Sequence, residues 1–275
     1  MRTSTRSPGG SVDLKGAVVV VTGASAGIGE AISVAFAKRG ARVVLVARRL
    51  ERLEALAERI ERAGGSALAL RVDVTEPREL DGLPTLVREV YARPTDVLVN
   101  NAGVPAGGSI EDLDYRQIRD VVEVNLLGVL YGMRAFLPEM MRLGHGHVVN
   151  VASLAGRFAT PGTALYSATK HAVVAASESA NYDAEARGVH VTAVNPGFVA
   201  TEGFPQQDLP VWAVMRADRV AEAIVKVVRD GIAPEYSVPR WVAPLQAFRV
   251  LTPPLYRWGV RQARRTGLKA TRAGR

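Results

Sequence analysis

The stretch Ala17-Val-Val-Val-Val-Thr22, followed by Gly23-Ala-Ser-Ala-Gly27-Ile-Gly29 and then by Glu30-Ala-Ile-Ser-Val-Ala-Phe-Ala-Lys-Arg-Gly40, decides the fold class. A continuous β-branched run reads as a strand covered on both faces, because a half-solvated strand would alternate polar and apolar residues. The run after the glycines has apolar residues at helical spacing. Between the two, glycines permit a tight turn, close backbone approach to a pyrophosphate and close packing of helix on strand, and the free N–H groups at the helix start attract the anion. Gly23, Ser25, Gly27, Ile28 and Gly29 are therefore candidate cofactor-binding residues. The spacing Gly-x-x-x-Gly-x-Gly is not the commonest Rossmann spacing, and Gly23-x-Ser25-x-Gly27 also has the form of a nucleophile elbow. A hydrolase would need an acid and then a histidine downstream. The histidines are His145, His147, His171 and His190, and the one with a strong strand context, His190, sits inside that strand. The hydrolase reading is set aside on that ground. The histidines also lack ligand partners, so no metal site is expected.

Outward from this unit the pattern repeats. Arg42 to Val46, Ala67 to Val72, Asp96 to Asn100, His147 to Val151 and Val189 to Val194 read as further strands, and Glu235 to Val238 offers a seventh. Helical stretches fall near 28–39, 49–63, 76–92, 114–142, 164–187 and 218–229. Alternation of this kind builds βαβ units, and right-handed crossovers leave a doubly wound open sheet. The expected fold class is α/β, a Rossmann-like doubly wound parallel sheet of about seven strands. The expected divisions are a flexible N-terminus over 1–11, a single domain over 12–239 and a basic amphipathic extension over 240–275.

The 275 residues, 48% hydrophobic and 23% charged, suffice for one large core and exclude a mainly disordered or fibrous chain. With no cysteine, disulfide scaffolds, thiol nucleophiles, iron–sulfur clusters and cysteine-zinc sites are excluded. The formal net charge of +8 points to nucleic acid or an anionic surface until it is located along the chain. Nine basic residues and no acid lie between Arg240 and Arg275, which leaves 26 basic against 27 acidic before them. The excess belongs to the extension and not to the domain. No window reads as reaching the roughly 18 apolar residues of a membrane span, so a soluble, cytoplasmic chain is expected.

Tyr166-Ser-Ala-Thr-Lys170 opens a helix, so Tyr166 and Lys170 share one face. A phenol with an ordinary pKa of about 10 serves proton transfer near neutrality only if its environment tunes it, and an ammonium one turn away can do so. Alone, Tyr-x-x-x-Lys is a common accident of an exposed helix. Here it stands in a series: Thr22-Gly-x-x-x-Gly-Ile-Gly29 after the first strand, Asp73 after the third and Asn100-Asn101-Ala102-Gly103 after the fourth. Then follow Asn125 in the long helix, Ser153 after the fifth strand, Tyr166-x-x-x-Lys170, and Asn195-Pro196-Gly197 after the sixth.

With these motifs in this order over residues 12–201, the chain resembles the short-chain dehydrogenase/reductase family. The resemblance implies that Tyr166 is the general acid, protonating a carbonyl oxygen as hydride reaches its carbon, and that Ser153 hydrogen-bonds that oxygen. Lys170 would lower the tyrosine pKa and hold the nicotinamide ribose, and Asn125 would keep a water against Lys170. Asn101, Ala102 and Gly103 would line the cofactor cleft, Asp73 and Val74 would meet the adenine, and Pro196, Gly197 and Thr201 would cradle the nicotinamide side. Plain alternatives are an Asn/Gly turn at 100–103 and a helix N-cap at Asp73.

An NAD site commonly has an acid at the end of the second strand, for the ribose 2′-hydroxyl. Here that place is Ala47, followed by Arg48 and Arg49, a small residue plus the guanidinium forks that a 2′-phosphate takes. NADP(H) is favoured over NAD(H), with Glu51 assigned to the next helix. After Thr201, the residues Phe204, Leu209, Val211, Trp212, Val214 and Met215 form an apolar segment where the family has its substrate loop, and Val104 to Ile110 offers another wall. A lipophilic carbonyl or alcohol is expected, although a loop that merely packs on the domain reads almost as well. The family's acyl-thioester reductases often end in Val-Asp-Gly-Gly, which this chain lacks.

In the extension, Trp241, Leu245, Phe248, Leu251, Leu255, Tyr256, Trp258 and Val260 are interleaved with arginines, and Pro244, Pro253 and Pro254 keep its helices short. Peripheral contact with anionic lipid, a cover over the substrate mouth, a partner-subunit contact and a partly packed helix with a disordered end all stay open. Nucleic acid is not an expected partner, since no reading module is present. The resemblance implies a homodimer or homotetramer through the long helices. The function expected is NADP(H)-dependent interconversion of a carbonyl and an alcohol, and the alternative is a catalytically silent dinucleotide-binding or membrane-docking scaffold.

Overall fold

The computed structural model describes residues 11–159, 161–202 and 214–262. Each β-branched run forms a strand: β1 Val18–Thr22, β2 Arg42–Ala47, β3 Ser66–Arg71, β4 Val97–Asn100, β5 Gly146–Val151, β6 Val189–Pro196 and β7 Glu235–Val238. The helices are α1 Gly27–Ala37, α2 Leu50–Arg62, α3 Pro77–Tyr91, α4 Tyr115–Val122, α5 Gly128–Leu143, α6 Ala164–Glu185, α7 Ala217–Asp230 and α8 Ala243–Leu251. The seven strands pair in the order β3-β2-β1-β4-β5-β6-β7, every pair parallel.

Alternate residues of one strand serve opposite cores, which is why the runs are continuous rather than alternating. Val19, Val21, Val43, Leu45, Val97 and Val99 pack with α1 and α7 on one face. Val18, Val20, Val44, Leu98, Val148 and Val191 pack with α3, α5 and α6 on the other. The strand order reverses between β1 and β4, so the chain leaves in opposite directions there and a crevice opens beyond the strand ends.

Two expectations are corrected. The stretch read as one helix over 114–142 is α4 and α5 joined by a π turn, Glu123–Leu127. It is also, by length and composition, apolar enough to cross a membrane over 115–143, contrary to the sequence reading. In this fold its apolar residues have another use: Val129, Met133, Phe136 and Met140 lie in the core beneath the sheet. In the extension, Arg240–Val242 forms a single 3-10 turn, α8 has proline in its first turn, and residues 253–262 are helical with Pro253 at their start. Proline at a helix start loses no helical hydrogen bond, so the prolines punctuate the arm without unwinding it.

Candidate active site

The crevice beyond β1 and β4 is a cleft of about 920 Å³, a size typical of cofactor sites. Its floor is the glycine turn. Gly23 and Gly27 have φ of +65° and +60°, and a Cβ on Gly23 would lie 2.8 Å from the Ala102 Cα. A Cβ on Gly29 would lie 2.3 Å from the Gly23 carbonyl oxygen. Gly29 thus sits beneath the turn, packed on it, while Gly23, Ser25, Gly27 and Ile28 line the cleft. Thr22 ties this turn to the next: its Oγ1 accepts from Asn101 N at 2.9 Å and Ala102 N at 3.1 Å. The Asn101 amide returns a bond to Thr22 O at 3.0 Å. Asn101 therefore braces two strand ends while Ala102 and Gly103 line the cleft beside it. These are backbone contours with little side chain in the way, the shape a dinucleotide pyrophosphate requires.

Further along the cleft stand Ser153, Tyr166 and Lys170. Ser153 follows β5 and caps a short 3-10 turn, its Oγ accepting from Ala155 N at 3.1 Å. Tyr166, in the first turn of α6, shares a hydrogen bond with Ser153. Burial pushes the Tyr166 phenol above its ordinary pKa, and the Ser153 hydrogen bond opposes that shift. Lys170 is 4% exposed, and desolvation lowers its pKa from 10.5 to about 8. Its Nζ donates to Val151 O at 2.9 Å and lies 5.7 Å from the centroid of the Tyr166 ring.

At the Tyr166 phenol burial is the first cause of the raised pKa. The Lys170 ammonium is directed to a backbone carbonyl. Asn125 is fully buried in the π turn rather than in a regular helix, accepting from Val104 N at 2.7 Å and donating to Val104 O at 2.9 Å. It is not part of the cleft wall. A Cβ on Gly103 would meet Asn125 Oδ1 at 3.3 Å and Lys170 Nζ at 3.8 Å, so Asn125 stands behind Gly103, close to the lysine.

At the other end of the cleft, Ala47 closes β2 and α2 begins at Leu50, which places Glu51 in the helix. Arg48 pairs with Asp73 at 3.7 Å. Asp73 accepts from Thr75 N and Thr75 Oγ1 at 3.0 and 2.9 Å, forming a local turn, and the N-cap of α3 is Glu76 instead. Val74 lines the cleft beside Asp73. Arg49 donates to Ser25 Oγ at 3.2 and 3.0 Å and to Glu202 Oε1 at 3.0 Å. Arg52 donates to the other oxygen of Glu202. Both arginines hold the Glu202 carboxyl below the usual carboxylate range, Arg52 foremost.

Sequence reasoning missed Glu202, which lies 153 residues from Arg49 and beside it only because the segment after β6 runs back over the glycine turn. Thr201 marks that return: a Cβ on Gly27 would meet it at 3.0 Å. Pro196 and Gly197 line the cleft at the start of the same segment. The walls beyond Tyr166 are apolar, with Val104, Pro105, Leu154, Phe158 and Phe198. Met215 bridges to Val199 and Val214 is half-buried, while Phe204, Leu209, Val211 and Trp212 lie outside the described residues. Among the described residues no group of three His, Cys, Asp or Glu side chains is placed to hold a metal.

A parallel sheet with this crevice, a glycine turn at its floor and a Ser-Tyr-Lys set on its wall matches one family over most of its length: the short chain dehydrogenase model matches residues 17–209. The chain belongs to that family. It is a nicotinamide-dependent oxidoreductase acting on carbonyl and alcohol groups. The ketoacyl reductase HetN of Nostoc sp. is 33% identical over 79% of this chain and 77% of its own. A variant of the actinorhodin polyketide ketoreductase solved with NADPH superposes with a TM-score of 0.76, at 30% identity, over 83% of this chain and 97% of its own. A short-chain dehydrogenase/reductase from Burkholderia phymatum solved with NAD superposes with a TM-score of 0.79, at 25% identity, over 89% and 96%.

Proposed function

We propose that the protein is an NADP(H)-dependent reductase of lipophilic carbonyl compounds, acting reversibly on the corresponding alcohols. The observation that carries the reading is a Tyr166 phenol, kept neutral by burial and bonded to Ser153, on the wall of a cleft whose floor is shaped for a dinucleotide. When bound, the nicotinamide supplies hydride to the substrate carbon. Ser153 donates to the carbonyl oxygen and stabilises negative charge as it develops there. Tyr166 gives its proton to that oxygen, and a raised pKa suits an acid that must hold its proton until that step. Lys170, one turn away, stabilises the phenolate left behind, and its depressed pKa of about 8 lets it exchange protons near neutrality. Asn125 holds the Val104 backbone and the turn at Gly103 in place against Lys170. Consumption of NADPH with a panel of carbonyls tests the reading. Tyr166→Phe should lower turnover by about two to four orders of magnitude, while unchanged turnover would refute the assigned acid and no turnover of any carbonyl by the wild type would favour the silent scaffold.

The preference for NADP(H) is supported by the strand end itself, where Ala47 places no carboxylate against a 2′-phosphate and Arg48 and Arg49 line the cleft. NADPH should bind the wild type more tightly than NADH, and Arg48→Ala should remove part of that difference. The apolar far wall supports a lipophilic substrate. The same reading makes the protein a cytoplasmic homodimer or homotetramer through α5 and α6, with residues 240–275 as the segment that meets a membrane surface.

A further inference from the structure

The large apolar side chains this molecule exposes are concentrated at its C-terminal arm. Trp241, Val250, Leu251, Leu255 and Trp258 are each more than half exposed, at 70, 72, 78, 53 and 59%. Leu245, Phe248 and Leu251 fall three residues apart along one side of α8, as do Leu255 and Trp258 in the next helical piece. Such a concentration is more than scattered surface hydrophobes and marks an interaction surface. Arg240, Arg257 and Arg261 are exposed among these residues, and the sequence from 240 to 275 holds no acid.

Several contacts attach the arm, among them Arg240 over the Tyr236 ring at 5.5 Å. Gln246 donates to Glu235 at 3.1 Å, Arg249 meets His171 on α6 at 3.1 Å, and the Tyr256 ring lies 6.3 Å from that of Phe158. Phe158 lines the cleft, as does Phe198, which is 54% exposed. The arm therefore borders the apolar end of the cleft.

Charge decides what covers this surface. A second copy seated face to face would set arginine against arginine, with no carboxylate in either arm to compensate. A nucleic acid would match the arginines but leave Val250, Leu251 and Leu255 against water or phosphate. A bilayer with anionic headgroups satisfies both features: aliphatic residues enter the acyl boundary, indoles sit at the headgroup level and guanidinium groups pair with phosphate.

We infer that residues 240–262 form a peripheral anchor for anionic phospholipid bilayers, holding the substrate end of the cleft against the lipid so that a lipophilic carbonyl enters from the membrane. The delivery step rests on the proposed carbonyl reading; the docking does not. The test is co-sedimentation of the full-length protein with phosphatidylcholine vesicles, with and without phosphatidylglycerol, at low and high salt. At least about tenfold more protein should sediment with the anionic vesicles, and 0.5 M salt should reduce it. Leu251→Glu with Trp258→Glu, two exposed positions, should lower vesicle binding about tenfold while NADPH consumption on a water-soluble carbonyl is retained. The same variant should lose any rate gain that vesicles give on a membrane-dissolved carbonyl. Equal sedimentation with neutral and anionic vesicles overturns the inference, as does wild-type binding by the double variant. Loss of a dimer in the variant, by light scattering, without vesicle binding by the wild type overturns it in favour of a copy contact. If the proposed carbonyl reading is wrong, NADPH is not consumed although vesicle binding persists.

Discussion

A lysine ammonium buried under an active-site cleft is costly, and Lys170 carries the consequences of that cost in two measurements. Its folded pKa of about 8 lies below the ordinary 10.5. Between those values the unfolded chain binds the proton and the folded protein does not, so the cofactor-free protein gains stability as pH rises from about 8 to 10.5. At neutral pH the buried charge costs up to about 3 kcal/mol. Lys170→Met should therefore leave the melting temperature of the free enzyme unchanged or higher, while turnover falls by about two to four orders of magnitude. In the wild type, kcat/KM for the reduced cofactor should fall as pH rises through about 8, the charged lysine being the form that supports binding and proton transfer. Lys170→Arg should move that limb upward.

Glu202 is a second residue with a readable effect. Its carboxylate occupies Arg49, which lines the cleft beside Arg48, and Arg52. Glu202→Gln should tighten NADPH binding about threefold to tenfold by removing a competing exposed ion pair and a like charge, and leave NADH within about twofold. Weaker NADH binding in that variant would instead make Glu202 the acceptor for a ribose hydroxyl. Lys170 was legible in the sequence because its partner is one helical turn away. Glu202 was not, because no local spacing ties it to Arg49.

At the scale of elements, the glycine turn and the turn at Asn101–Gly103 form one unit. Thr22 accepts from both backbone groups of the second turn, and Gly29 fits against the first with no room for a methyl group. Gly29→Ala would drive a Cβ into the Gly23 carbonyl at 2.3 Å. Calorimetry should show a stability loss of about 2–4 kcal/mol, and the nicotinamide cofactor should bind at least about tenfold more weakly. This turn was readable because steric need for glycine is local. The break between α4 and α5 was not. A π turn has the composition of the helix around it, and at Glu123–Leu127 it aims Asn125 at Val104 instead of leaving it in an ordinary helical register.

At the scale of the molecule, the switch in strand order between β1 and β4 opens the cleft; the glycine turn, Asn101–Gly103, Ser153 and Pro196–Gly197 reach it from strand ends, and α6 brings Tyr166 and Lys170. The arm adds an asymmetry: its basic, apolar surface meets the cleft at Phe158, away from the glycine turn and Arg49. If the arm docks on anionic lipid, vesicle binding should protect the arm's amides from hydrogen exchange and leave those of the buried β1 and β4 unchanged. Legible from the residues alone were the parallel α/β class, the glycine turn, the Tyr-Lys pair and the basic arm, because each rests on periodicity, steric need or charge within a few residues. Packing alone brings Glu202 to Arg49, buries the Tyr166 phenol beside Ser153 and sets Tyr256 against Phe158. Those outcomes depend on which distant segments share a desolvated space, and side-chain proximity of that kind is set by the packing of the sheet and its crossovers.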